Sequence, residues 1–215
     1  MSRYDAIKLD MEIKEGLRTI ETRLKKAMAE EFNHRIQSNM TRIENSIKDL
    51  VKELIYNSPE IKSIKRGQLR GAFGIPASED PTSQIVNAIA ESVEVIHTII
   101  VPKSGKRFSG GLTINIQPKH VANLLGLSGG KVKTKKDTTL PWLEWLLTFG
   151  DKIIVTDYHV EYKSGTGRSG RATMADGDTF RVDPSFSGTK DNNFISRALS
   201  GSEDKMKQII RRHIG

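Results

Sequence analysis

Apolar residues recur along the first quarter of the chain at Ile13, Leu17, Ile20 and Leu24, then at Phe32, Ile36, Met40, Ile43, Ile47, Leu50 and Leu54. Steps of three and four place them on one face, so residues 5–56 are expected to be helix almost throughout. From Ile36 to Leu54 the steps alternate 4-3-4-3-4, as in a heptad seam. Gly16 and the Phe32–Arg35 region are the candidate break points, and Asn57-Ser-Pro59 stops the helix, because the residue before proline avoids the α region. A long helix with a narrow stripe cannot form a core alone. The first thirty residues are therefore expected to be a helical arm with its partner outside the chain, and residues 31–215 an α+β domain.

The period then changes. Gly67, Gly71 and Gly74 break residues 58–76 into short turns, and residues 82–91 read as helix with Ile85, Val86 and Ile89 on one face. Glu94–Val101 is β-rich, Lys103-Ser-Gly-Lys106 is a hairpin turn signal, and Gly111–Gln117 alternates as a half-buried strand. A short helix is expected over 118–127 and a basic loop over 128–139. Leu140–Asp151 holds both tryptophans, Trp142 and Trp145, and Pro141 suits the start of a helix there. Residues 151–162 read as a strand, 165–171 as a turn, 172–174 as its return and 180–182 as one more short strand. A final amphipathic helix is expected over 192–214, with Gly201 as a candidate break and Arg211, Arg212 and His213 at its C-terminal dipole end. Hairpins near 102–110 and 163–172 between terminal helices predict an antiparallel sheet of about four strands in an α+β fold.

Composition narrows the picture. The chain of 215 residues has no cysteine, which excludes disulfides and thiolate metal sites and suits a reducing compartment. Its mean hydropathy of −0.44 is low for a compact monomer. The first residues lack a signal pattern, and no run is long and apolar enough to span a membrane. The formal charge is +8 with a pI near 9.6. That excess suits proximity to nucleic acid or an acidic surface, carried by Lys103, Lys106, Arg107, Lys131, Lys133, Lys135, Lys136, Arg168 and Arg171 as candidate DNA-facing or partner-facing groups. Lys62, Lys65, Arg66, Arg70, Arg211 and Arg212 add to the same excess.

Catalytic patterns fail on context. Gly126-Leu-Ser-Gly-Gly130 fits a nucleophile elbow in letters, but a helix-like run precedes it and a lysine-rich loop follows. Gly165-Thr-Gly-Arg-Ser-Gly170 has the spacing of a dinucleotide fingerprint without the helix that must follow it. The five histidines show no ligand spacing. No catalytic, metal-binding or cofactor-binding residue is nominated, and no cofactor is expected. The nominated packing and assembly residues are Trp142, Trp145, Phe149, Ile36, Met40, Ile43, Ile47, Phe194 and Leu199.

The order of elements, with Ser58-Pro-Glu60, the "G-x-L-R" of Gly67–Arg70, a Ser-Gly turn before Met174 and the "N-x-F-x-x-x-A-L" of Asn192–Leu199, resembles the neck and tail-completion proteins of tailed bacteriophages. The Trp block with Gly150-Asp151 also resembles virion structural proteins of contractile-tailed phages. The resemblance spans roughly residues 30–200. It implies a non-enzymatic subunit of a six- or twelve-fold homo-oligomeric ring in the virion's neck or tail, assembled in the host cytoplasm. Its partners would be adjacent neck, portal-side or tail proteins and passing double-stranded DNA, with no membrane. The alternative is a basic nucleic-acid-binding module.

Overall fold

The computed structural model describes residues 16–116, 121–134, 137–163 and 165–215. Of the expected helix, residues 5–15 lie outside this set. Helix α1 (Leu17–Tyr56) starts after Gly16 and runs through Phe32–Arg35 without a break, so the candidate arm boundary at residue 30 falls inside one helix. It stops where Ser58 caps α2 (Pro59–Arg66), the Ser58 Oγ accepting from the Ile61 amide at 3.3 Å with Pro59 in the first helical turn. Short α3 (Gln68–Ala72) and α4 (Thr82–Glu91) follow.

The strands form three separate antiparallel hairpins, which corrects the expected four-stranded sheet. Strands β1 (Val93–Pro102) and β2 (Phe108–Ile116) make the first. Helix α5 (Val121–Gly126) and a 3-10 turn at 128–130 lead to the two-residue strands β3 (Val132–Lys133) and β4 (Thr139–Leu140). The Trp block follows as α6 (Trp142–Glu144) continuing into a wide π turn over 145–149. Strands β5 (Val155–Tyr162) and β6 (Ala172–Phe180) make the third hairpin, so the residues expected as a separate strand at 180–182 begin at the end of β6. Helices α7 (Phe194–Leu199) and α8 (Glu203–Ile214) close the chain, split at Gly201, whose φ of +76° no helix accommodates.

One hydrophobic core runs from Ile43, Ile47, Val51 and Ile55 of α1 through Ile61, Leu69, Phe73, Ile85 and Ile89 to the Trp block, Phe180 and Phe194. On α1 the buried face keeps the expected Leu50 and widens onto Val51 and Ile55, with Leu54 only half-buried, as a helix without a supercoil shifts about 20° per heptad against a strict 3.5 repeat.

Two arginine anchors, buried Arg70 and half-buried Arg197, hold irregular backbone against this core. Arg70, 6% exposed, donates to the carbonyls of Ile64 (3.4 Å), Lys65 (3.0 Å), Glu79 (2.5 Å) and Pro76. Arg70 thereby satisfies carbonyls that the end of α2 leaves open and carbonyls of the loop between α3 and α4. Arg197 of α7 reaches buried Glu60 at 2.6 Å and the carbonyls of Phe186 and Ser187, each at 3.1 Å. These bonds tie the last third of the chain to the start of α2. Replacing Arg197 by alanine strands a buried carboxylate, so Arg197→Ala is expected to cost about 3 kcal/mol in urea unfolding, while the double variant Arg197→Met/Glu60→Leu recovers most of it. A single variant that unfolds at the wild-type midpoint contradicts this.

Candidate functional site

The surface that the fold leaves unfinished is an arm made by the first half of α1 and the β1–β2 hairpin laid along it. Asn33 clamps the two. Its Oδ1 accepts from the Ile100 amide at 2.8 Å, its Nδ2 donates to the Ile100 carbonyl at 2.9 Å, and the His97 ring nitrogen stands 3.1 Å from Oδ1. These side-chain bonds replace strand pairing where the β1–β2 register slips between Thr98 and Val101. Nearer the tip, Lys25 donates to the Gly105 carbonyl and pairs with Glu21 at 2.5 Å. The bond from Lys25 holds the Glu21 carboxyl below the usual carboxylate range, with Lys106 at the hairpin turn adding to it. Under the hairpin, Ala29 and Ile36 are buried.

The rest of the arm is apolar and uncovered. Leu17 is 81% exposed and Leu24 59%, with Ile20, Met28 and Phe32 on the same face. On the hairpin, Ile99 is 68% exposed, joined by Ile96, Val101 and Phe108. The nine arm residues dominate the exposed large apolar side chains, and the next group, Tyr158, Tyr162 and Met174, lies on the β5–β6 hairpin. Register puts those three on one side of that hairpin, with Val160 opposite Met174 and Tyr162 opposite Ala172. Scattered exposed leucines are ordinary; so many large apolar side chains exposed on one helix–hairpin pair mark an interaction surface.

The nominated packing residues sit inside a single subunit. Ile43, Ile47, Trp142 and Phe194 are fully buried, Ile36 and Trp145 nearly so, and Met40, Phe149 and Leu199 pack partly buried against the core. Trp142 stacks on Phe73 at 5.4 Å, and Trp145 meets Phe180 edge-on at 6.2 Å. The Trp block thus joins α3 to the end of β6 within one chain and leaves Trp142 nothing to offer a neighbour. Its indole N–H is buried without an acceptor among the described residues. Of the arm stripe, Leu17, Ile20, Leu24 and Phe32 were visible in the sequence, read there as one face with Ile36–Leu54. In the structure those residues are exposed, and Met28 joins them.

The nominated basic residues fall on three elements. Lys103, Lys106 and Arg107 crown the arm, where the Lys103 amide closes the turn on the Arg107 carbonyl at 2.9 Å. Lys131 and Lys133 are exposed around β3, with Lys133 paired to Asp137 at 3.1 Å, and Lys135 and Lys136 lie outside the described residues. Arg168 is half-buried, donates to the Lys133 carbonyl and covers Gly74; that burial lowers its pKa, with Glu79 opposing the shift. Arg171 is exposed at the edge of a cleft with Arg66. The Gly165–Arg171 turn is therefore anchored, as the Ala77 amide donating to the Arg168 carbonyl at 3.0 Å also shows.

The motif residues are structural in the fold. The Ser63 hydroxyl accepts from the Leu69 amide at 3.0 Å beneath Gly67, where a Cβ would stand 2.7 Å from the Ser63 Cα. Asn193 caps α7 in a reciprocal capping box with Ser196. Among the described residues no three histidine, aspartate or glutamate side chains gather as a metal site, and no helix is long and apolar enough to cross a membrane. No protein-family model matches the chain, and neither a curated protein nor a solved structure shows significant similarity to it.

Trp142→Ala removes the stacked partner of Phe73 and is expected to cost about 3–5 kcal/mol in denaturant unfolding followed by Trp145 fluorescence. Trp142→Phe keeps a ring on Phe73 and drops the unpaired N–H, so it is expected to recover at least half of the loss. Equal losses for the two variants contradict that account of the core.

Proposed function

We propose that the chain is a structural, non-enzymatic subunit of a phage neck or tail-terminator ring, joining head and tail around the DNA channel. The observation that carries this is the uncovered arm: nine large apolar side chains exposed on one helix–hairpin pair, more than a lone soluble subunit ordinarily leaves in water. Two-stranded hairpins are also marginal alone and keep open edges, which subunits packed side by side would support. The resemblance of Gly67–Arg70 and Asn192–Leu199 to neck and tail-completion proteins supplies the setting: a virion, a six- or twelve-fold ring, and neighbouring neck, portal-side or tail proteins as partners. A closed ring needs heterologous contacts, in which the arm of one subunit meets a different surface of the next. The exposed face of Tyr158, Tyr162 and Met174 is a candidate for that surface.

Light scattering on the size-fractionated protein tests this. A discrete closed oligomer is expected at micromolar concentrations. Leu24→Glu and Ile99→Glu, both at exposed positions, are expected to reduce it to folded monomer with unchanged circular dichroism. A wild-type chain that stays monomeric when concentrated, alone and with neck partners, contradicts the proposal, as do charge variants that assemble normally.

The alternative, a basic nucleic-acid-binding module, draws support from a cleft lined by Lys65, Arg66 and Arg171.

A further inference from the structure

A cleft of about 510 Å³ opens between the end of α2, the loop Ala77–Asp80 and the turn Ser169–Arg171. Four cations line it, Lys65, Arg66, Arg70 and Arg171, against two carboxylates, Glu79 and Asp80. The lining charge is thus four minus two, a net of +2. Asp80 is hydrogen-bonded to Thr82, and the exposed Glu79 carboxylate makes no hydrogen bond or ion pair among the described residues. Asp80 accepts from the Thr82 amide at 3.1 Å and hydroxyl at 2.5 Å and lies 3.7 Å from Lys65. Glu79 acts electrostatically on Arg168.

The cations differ in what they can offer a ligand. Arg70 is buried, and its hydrogen bonds go only to carbonyls, so it fixes a positive charge beneath the cleft that no directly bonded carboxylate cancels. Arg66 and Arg171 are exposed and make no side-chain hydrogen bond or ion pair among the described residues. Ser169, 3% exposed, accepts from the Arg171 amide at 3.2 Å, and its own hydroxyl proton has no acceptor among the described residues. Two free guanidinium forks, a hydroxyl donor and a buried fixed charge make a donor set for a phosphate group.

We propose that this cleft binds phosphodiester groups of duplex DNA through Arg66 and Arg171, with Ser169 as a further donor. Duplex backbone is favoured over single strands because no aromatic side chain lines the cleft on which bases could stack. It is favoured over a small free anion because the cleft is open and the rest of the chain carries a large positive excess, +8 overall, which a long polyanion meets and a single phosphate does not. Arg70 positions the loop and lends its charge; it does not contact the ligand. The proposal holds for a monomer or a ring alike.

Fluorescence anisotropy of a short labelled DNA duplex, titrated with the full chain at dilute concentration over a range of salt, tests it. Wild type is expected to bind with a salt-dependent affinity. Arg66→Ala/Arg171→Ala is expected to weaken binding tenfold or more at low salt and to lower the log–log salt slope by about two, one unit per lost phosphate contact. Arg66→Lys/Arg171→Lys, which keeps the charge, retains most of the slope. Lys205→Ala/Lys207→Ala on α8 removes the same charge away from the cleft and leaves binding within about twofold. Absent wild-type binding overturns the proposal, and so does an equal loss from the α8 pair, which marks a net-charge effect alone. Displacement of the duplex by low-millimolar inorganic phosphate assigns the cleft to a small anion and overturns it too. A chain that assembles into rings without binding DNA refutes this site and leaves the ring standing; DNA binding by a strict monomer does the reverse.

Discussion

The forty residues of α1 need more cover than the rest of the chain supplies. From Ala29 to Ile55 the helix has a continuous buried face, roofed first by the β1–β2 hairpin and then by the core. Helix α8 adds to that cover alongside, where Arg35 donates to the Ile214 carbonyl at 3.1 Å and Ser46 lies 3.0 Å from the His213 ring. Before Ala29 no described element covers the apolar stripe. Helix length is cheap to extend once nucleated, but each large apolar side chain left in water forgoes roughly 1.5–3 kcal/mol of possible burial. Leu17, Ile20, Leu24 and Met28, with Phe32 one turn further, form a preordered surface on this helix, one that loses little entropy on docking.

The remaining elements serve to hold that helix and its hairpin at a fixed angle. Phe73, Trp142, Trp145 and Phe180 interlock α3, the Trp block and β6. Arg70 and Arg197 then stitch irregular loops to the same core through backbone carbonyls. This arrangement explains how a chain of modest hydropathy holds long loops in place: the guanidinium groups of buried Arg70 and half-buried Arg197 satisfy carbonyls that would otherwise need water. It also brings Arg66 and Arg171, far apart in sequence, to one cleft.

Helices were legible because their signals are local. The 3.6-period stripe, the Ser58-Pro59 boundary and the Gly201 split all follow from nearby residues. Sheet organisation was not, since alternation identifies a strand without naming its neighbour, and three hairpins satisfy the same pattern as one four-stranded sheet. In β6 the run Asp176-Gly-Asp178 reads as a turn. In the structure Gly177 and Asp178 adopt positive φ inside a bulge opposite Asp157, also at positive φ, and the strand continues to Phe180. The candidate surfaces were half visible. The basic residues could be counted, but only the fold shows Arg168 engaged with a carbonyl and Arg171 free in a cleft. The tryptophans stood out as candidate assembly anchors, yet large aromatic groups are as apt for a core, and Phe73 and Phe180 claim them.

The central claim is that residues 17–32 and the β1–β2 hairpin become covered when subunits meet. Amide hydrogen exchange, compared between dilute and concentrated protein, tests it most directly. The account predicts that exchange at residues 17–32 and 96–108 slows with concentration, while the core segment 43–55 is protected throughout. Assembly that leaves arm exchange unchanged and slows some other surface contradicts it.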